Sequence, residues 1–472
     1  MIWIILLIAT ILRLINLNQS LWLDEAINVL ATIQTTFWDM LTKYPIGDFH
    51  PPGYFALLWI WTRIGGIGEI WVRVPSVIFG VATVWLVYLL GKEMISKRVG
   101  ILAALFMALA PLHVYYSQEA RMYSLAAFSA TLSFYFFWKL IHKRNWGDLA
   151  GFGISSALVL YSDYVVYLIL PVQFFYLILW ERKNLKSFLV PWLVSVIFLL
   201  PWLTVFPKQL EIGTQAASSL PGWKNVVGGA GMKELLLIPI KSFFGRVSLE
   251  NKWLYGLVSG GVGIFYGGIM FHGLRKMDRQ TYLLIGWLTI SIVLAFTVSF
   301  FIPVLSYFRM IFILPAFYLL LAKGVDVLGT QARPGRLAVA GICMISLVSL
   351  FAYYANPKFQ REDWRSATAE VEGHADKNSK ILFENSGIPS PYKYYAKKPD
   401  YADSGLKKIP AADDLDIKSI GKDITNIYLF EYLVDITDPK RLLEKHIEGD
   451  GYRKIETLNF DGVGFVHHFQ LQ

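Results

Sequence analysis

Two adjacent carboxylates, Asp24 and Glu25 in the stretch LWLDEA, follow closely on an apolar run from Met1 to Leu17. A carboxylate at the edge of an apolar surface can take the proton from a hydroxyl, a weak nucleophile, as it attacks. Further along, PLHVYYSQEARMYS (Pro111 to Ser124) gathers Gln118, Glu119, Arg121 and Tyr123 into one connection between apolar segments. A guanidinium there can hold a leaving phosphate by charge-assisted hydrogen bonds. One base and one cationic clamp suffice for a single displacement, which inverts the carbon attacked.

Other residues could complete such a site. His50 in HPPGYF stands before two prolines that fix an extended bend. It offers a contact to an acceptor, a metal ligand or a helix cap. No second ligand stands at metal spacing, so a divalent metal is the one cofactor left open. Arg13 and Arg73 flank the first long connection, as interfacial anchors or as partners of Asp24, Glu25 or phosphate. Arg309, in SYFRMIF, is a lone arginine inside an apolar segment and on that ground a phosphate contact. The plainer alternatives are a helix N-cap for Asp24, a first-turn charge for Glu25 and an interfacial anchor for Arg121.

The elements that must position these residues lie in a membrane. Of 472 residues, 55% are hydrophobic and 17% charged, with 16 Trp and 32 Phe, far more apolar than a globular domain. The expectation is a mainly α, polytopic integral membrane protein. Spanning-length apolar stretches fall near 1–17, 72–90, 99–116, 122–138, 147–162, 164–180, 187–205, 253–272, 281–302, 305–322 and 337–354, eleven in all. The first reads as an uncleaved span, since it lacks a basic leader.

The net charge of +9 is a topology signal and not a nucleic-acid footprint. Basic residues crowd alternate short loops: Lys92, Lys97 and Arg98; Lys139, Lys143 and Arg144; Arg182, Lys183 and Lys186; Arg275, Lys276 and Arg279; Lys323, Arg333 and Arg336. Those loops are expected in the cytoplasm, and the connections between them outside. The first outer loop, 18–70, is long and rich in Trp, Phe and Leu. It reads as amphipathic helices on the membrane surface, with Leu21, Trp22 and Leu23 against the lipid.

Residues 1–355 form the expected membrane domain. From Asn356 the composition turns ordinary, and 356–472 reads as an external α/β domain. DWRSATAEVEGH and PKRLLEKHIE read as helices; ILFEN, IYLFEY and VGFVHHFQ read as strands. His467 and His468 fall in the last strand as surface residues. The single cysteine, Cys343, excludes an intramolecular disulfide. VVGGAGM and SGGVGIFYGG lack the Lys-Ser/Thr and the strand–helix setting of a phosphate loop.

Taken in order, LWLDEA, HPPGYF, RVPSVIFG and APLHVYYSQEARMYSL resemble the bacterial and archaeal glycosyltransferases related to dolichyl-phosphate-mannose protein mannosyltransferases and to lipid A aminoarabinose transferase, members of the GT-C superfamily. The resemblance is strongest over residues 10–140 and looser through Ala355. It implies a GT-C membrane fold and a donor sugar carried on a polyprenyl phosphate. It also implies that an acidic residue of the first outer loop is the base, which maps onto Asp24 with Glu25 as the alternative. The expected activity is inverting transfer of mannose or another hexose to a protein, lipid or glycan outside a bacterial or archaeal cell membrane. A polytopic transporter or lipid flippase is the rival. It would show internal repeats and interrupted spans in matching positions. No such repeat is visible, and the charged motifs gather at one face.

Overall fold

The computed structural model describes residues 1–143, 145–219, 228–421 and 423–472. Arg144 and the start of VVGGAGM, Val226 and Val227, lie outside the described residues. The chain forms two compact units. One comprises Met1–Leu17, Thr36–Leu210 and Val227–Ala355; the other comprises Asn18–Thr35, Glu211–Val226 and Asn356–Gln472.

The first unit is a helical bundle. Among the described residues, seven helices are long and apolar enough to cross a membrane. They are Glu69–Met94, Tyr123–His142, Arg182–Leu203, Lys252–Leu274, Arg279–Val298, Arg309–Leu328 and Arg333–Ala355. An eighth is obtained if Lys97–Leu109 and Pro111–Ser117 form one span bent by 62°. The expected count of eleven is therefore not reached. Ile2–Leu14 has 13 residues, about 20 Å at 1.5 Å per residue, and a bilayer core needs about 30 Å. Trp146–Ser162 and Tyr164–Trp180 are short for the same reason.

Two local features shape the site. Pro111 cannot donate to the preceding turn, and the chain bends there, which folds Pro111–Ser117 back into the bundle with every residue buried. Gly80 lets a second contact form. A Cβ there would sit 2.3 Å from the Ser117 hydroxyl and 3.0 Å from Arg13 Nε.

The second unit holds a five-stranded sheet: β1 Ser379–Phe383, β2 Ala402–Ser404, β3 Asn426–Phe430, β4 Tyr452–Phe460 and β5 Gly464–Leu471. Their order is β2-β1-β3-β5-β4. β2, β1 and β3 run parallel, and β5 and β4 are antiparallel. β1 and β3 are apolar almost throughout because both faces are covered. One face packs Phe383, Tyr428 and Phe430 with Trp364 and Val371 of the Trp364–His374 helix. The other packs Leu382, Leu429 and Phe469 with Leu443 and Ile447 of the Leu442–Gly449 helix. His467 is buried in this sheet, not on the surface.

The LWLDEA segment belongs to this second unit. Leu21 is fully buried, and its N–H donates to Tyr395 Oη at 2.8 Å. Ser20 Oγ and Gln19 Oε1 accept from the backbone N–H groups of Arg365 (3.1 Å) and Arg361 (2.9 Å). Leu23 packs on the Trp364 core. Leu21 and Leu23 thus spend their apolar surface inside protein rather than on lipid.

Candidate active site

Asp24 and Glu25 open the helix Leu23–Gln34, where carboxylates in the first turn favour the positive end of the helix dipole. The N-cap is Trp22, so Asp24 is not the cap. Adjacent helical residues point about 100° apart, and the burial differs accordingly: Glu25 is fully buried and Asp24 half-buried. Asp24 acts electrostatically on Glu362, within the same unit. Glu362 accepts from Trp364 Nε1 at 2.7 Å and from Tyr432 Oη at 3.0 Å. Burial, with the negative charge of Asp24 added, pushes the Glu362 carboxyl up to about 7 against these bonds. Nothing in the sequence around Glu362 marks it, because its neighbour lies more than three hundred positions away.

In the helical unit, the loop before HPPGYF and the QEARMY turn meet at Asp48. Its Oδ2 accepts from Arg121 Nη1 at 2.9 Å, and its Oδ1 lies 2.6 Å from His50 Nδ1. All three side chains are largely buried. Burial alone would raise the Asp48 carboxyl; Arg121 and His50 hold it below its ordinary value. Phe49 adopts φ +66°, a left-handed turn that swings His50 back onto Asp48. Gln209 Nε2 steadies the loop from outside, donating to the carbonyls of Pro45 (2.6 Å) and His50 (3.4 Å). Sequence reading missed Asp48; the only signal was its place two residues before His50.

The remaining residues divide between buried hydrogen-bonded packing and an aromatic cluster. The Arg13 guanidinium is fully buried and donates to Ser117 Oγ (3.1 Å) and to the carbonyls of Ala9 (2.9 Å) and Ala108 (3.3 Å), and lies 2.7 Å from His113 Nδ1. Gln118 Nε2 donates to the Arg13 and Ile15 carbonyls, and its Oε1 accepts from Tyr353 Oη. Arg13 and Gln118 therefore tie the first helix to the bent span. Arg73 is buried and donates to the Leu17 carbonyl at 2.9 Å. Glu119 is fully buried.

Tyr123 stacks edge-on with Tyr116 (4.9 Å) and Phe308 (5.6 Å). Arg309 donates to the Pro303 carbonyl at 2.7 Å and lies over the Phe308 ring. The exposed Arg246 donates to Tyr307 Oη at 2.8 Å and lies over Tyr115. Arg246 escaped the sequence reading because it follows a helix with no motif. Two arginines thus flank an aromatic cluster that begins in the QEARMY turn. Among the described residues, no group of three or more His, Cys, Asp or Glu is placed to hold a metal ion. The Asp48–His50 pair offers a cation at most two such side chains, and Arg121 already neutralises one of them.

Fold and side chains define a helical bundle with membrane-spanning helices and a buried Asp–His–Arg cluster, and a second unit that carries the Asp24–Glu25 pair. Comparison with known proteins points the same way. Residues 49–207 match the sequence model of the family Dolichyl-phosphate-mannose-protein mannosyltransferase, a stretch that includes Asp48's partners His50 and Arg121 and begins after Asp24. The fold is that of ArnT from Cupriavidus metallidurans, with a TM-score of 0.61 and 11% identity over 99% of this chain and 97% of that one. The same likeness holds for ArnT bound to undecaprenyl phosphate. It extends to the oligosaccharyltransferase AglB of Archaeoglobus fulgidus, solved with an inhibitory peptide and a dolichol-phosphate (TM-score 0.55, 12% identity, 98% of this chain and 74% of that one). No curated protein sequence matches the chain. The resemblance read from the motifs is thus met by the family model over residues 49–207 and, for the chain as a whole, in fold.

Proposed function

We propose that the protein is an inverting glycosyltransferase that moves a sugar, mannose or another hexose, from a polyprenyl-phosphate donor to a protein, lipid or glycan acceptor. The observation that carries this reading is the match of residues 49–207 to the mannosyltransferase model, because HPPGYF and QEARMY, which it contains, supply His50 and Arg121, the two partners of Asp48. The whole-chain likeness to ArnT, whose structure is known with undecaprenyl phosphate, supports a lipid-linked donor. In this reading Asp24 removes the acceptor proton and Arg121, held by Asp48, contacts the donor phosphate. Arg246 and Arg309 offer further positive charge. The phosphate leaves without a strong acid because its charge is compensated. Active site and C-terminal domain face the cell exterior, as the basic loops suggest.

The test is transfer in reconstituted vesicles from a labelled polyprenyl-phosphate sugar to a membrane extract. Release of polyprenyl phosphate with label appearing on acceptor is expected. Donor that stays intact with every hexose tried, while the lipid crosses the bilayer, would assign the protein to lipid transport instead.

A further inference from the structure

The sheet of the second unit carries a group of charged side chains that the transfer reaction does not use. Strand parity places them together. Glu384 follows β1, Glu431 follows β3, and Phe465 and His467 lie on β5; all are on the face that carries Leu382 and Leu429. Asp438 and Glu444 come from the connection after β3. Asp24, Glu362 and Tyr432 belong with the opposite face, around Trp364.

The position is a topological switch point. The connection after β1 leads to β2 on one side, and the connection after β3 leads toward β4 and β5 on the other. In open parallel sheets, crevices that bind ligands open between such strands, at their carboxyl ends. Glu384 and Glu431 lie at those ends, and Asp438 lies in the connection that follows β3.

Their hydrogen bonding is uneven. Glu431 accepts from Arg441 and lies 3.1 Å from His467 Nε2. Glu444 pairs with Lys454. Asp438 Oδ2 accepts from the Leu443 N–H at 2.9 Å. Both oxygens of Glu384 and Oδ1 of Asp438 have no partner among the described residues, although both side chains are 0% exposed. Four carboxyl groups face two permanent cations, Arg441 and Lys454. Burial, with Asp438 next to it, pushes the Glu384 carboxyl up to about 8. Retaining a proton removes its charge but leaves its acceptor unpaired, at a cost of about 1–3 kcal/mol for each unsatisfied group. Leu433, at φ +60°, and Arg441, at φ +52°, fix the two ends of the connection that carries Asp438 in left-handed backbone.

A ligand that donates several hydrogen bonds would satisfy these oxygens. Metal does not fit, since no three carboxylates or imidazoles are grouped for one among the described residues. Phe465, 46% exposed and parallel to the His467 ring, offers an apolar platform beside the acceptors. Adjacent carboxyl acceptors and an exposed ring suit a molecule with vicinal hydroxyls on one side and C–H groups on the other. We propose that the crevice between the carboxyl ends of β1 and β3 binds a pyranose sugar, with its hydroxyls donating to Glu384 and Asp438 and its C–H face resting on Phe465. The half-exposed Arg441 side chain closes the mouth and moves aside as the sugar enters.

The experiment is hydrogen exchange and ligand-detected saturation-transfer NMR on the full chain in detergent, with the methyl glycosides of mannose, glucose and galactose. At least one glycoside is expected to slow exchange at 384–385 and 438–443. Its binding should weaken at least tenfold in Glu384→Gln and Asp438→Asn. Should Glu384→Gln fail to fold, the wild-type protection pattern still decides, with Phe465→Ala as the second variant. The proposal is overturned if no glycoside protects these amides, if Glu384→Gln binds as well as wild type, or if calcium alone protects them.

Discussion

Asp24 and Glu25 are neighbours in sequence with different surroundings, and only the half-buried Asp24 is open to an incoming hydroxyl. Asp24→Asn keeps the shape and removes the base, so transfer is expected to fall by about 10²–10⁴ while donor binding persists. Single-turnover rates and donor binding measured together check this; a dead Glu25→Gln beside an active Asp24→Asn would reverse the assignment. Glu362 makes a second prediction. Its carboxyl ionises near pH 7, so below that pH it is neutral and above it adds a negative charge beside Asp24. That charge strengthens Asp24 as a base, and the rate is expected to rise through pH 7. In Glu362→Gln this rise should vanish, leaving a flat profile from pH 6 to 8 at unchanged donor KM. A rise that survives the substitution would detach Glu362 from Asp24. Arg121 and Asp48 form a coupled pair, so Arg121→Ala also strands a buried carboxylate. Transfer should drop at least about tenfold in Arg121→Ala. Asp48→Asn, which keeps the cation but loosens it, should raise donor KM more than it lowers kcat.

At the scale of elements, what the sequence made legible was local. Apolar periodicity marks the helices, and the HPPGYF and QEARMY stretches do lie at one cluster. Strands β1, β3 and β5 were readable from ILFEN, IYLFEY and VGFVHHFQ, because runs of Ile, Leu, Phe and Tyr belong to strands covered on both faces. β4 was not, since YRKIETLNF carries charges on an exposed edge strand. Nor was the attachment of LWLDEA to the second unit, which depends on Tyr395, Arg365 and Arg361, far off in sequence. The helix Gly53–Gly65 gives a prediction at this scale. Gly53 lies so close to the bundle that a Cβ would stand 2.4 Å from the Tyr161 carbonyl oxygen. Gly53→Val must push backbone apart, at a cost of about 1–3 kcal/mol. A lower Tm in detergent is expected, together with weaker transfer because His50 and Asp48 directly precede the helix. An unchanged Tm would mean that the loop shifts freely at this point.

At the scale of the whole molecule, the loops expected in the cytoplasm are joined to one another. Arg98 pairs with Asp326 (3.4 Å), Lys323 with Asp278 (3.0 Å), Arg279 with Glu181 (2.9 Å) and Lys139 with Asp148 (2.7 Å). Each partner comes from a loop, or a helix end beside one, that the charge pattern assigns to the same side. The bundle thus has one basic face, stitched by ion pairs, and an excess of positive charge on such a face is the signal for a cytoplasmic position. The two pairs made by exposed arginines, Arg98–Asp326 and Arg279–Glu181, contribute little to stability, about 0–1 kcal/mol each. The expected outcome is therefore about sidedness rather than folding. A reporter active only in the cytoplasm should be silent when fused after Gln472 and active when inserted at the 275–279 loop. Removing Lys92, Lys97 and Arg98 together should leave the bundle folded but lower the fraction inserted correctly, read as a rise in C-terminal cytoplasmic signal. Full signal from the unmodified C-terminal fusion would place Asp24, His50 and Arg121 on the inner side. The acceptor would then have to be a cytoplasmic molecule.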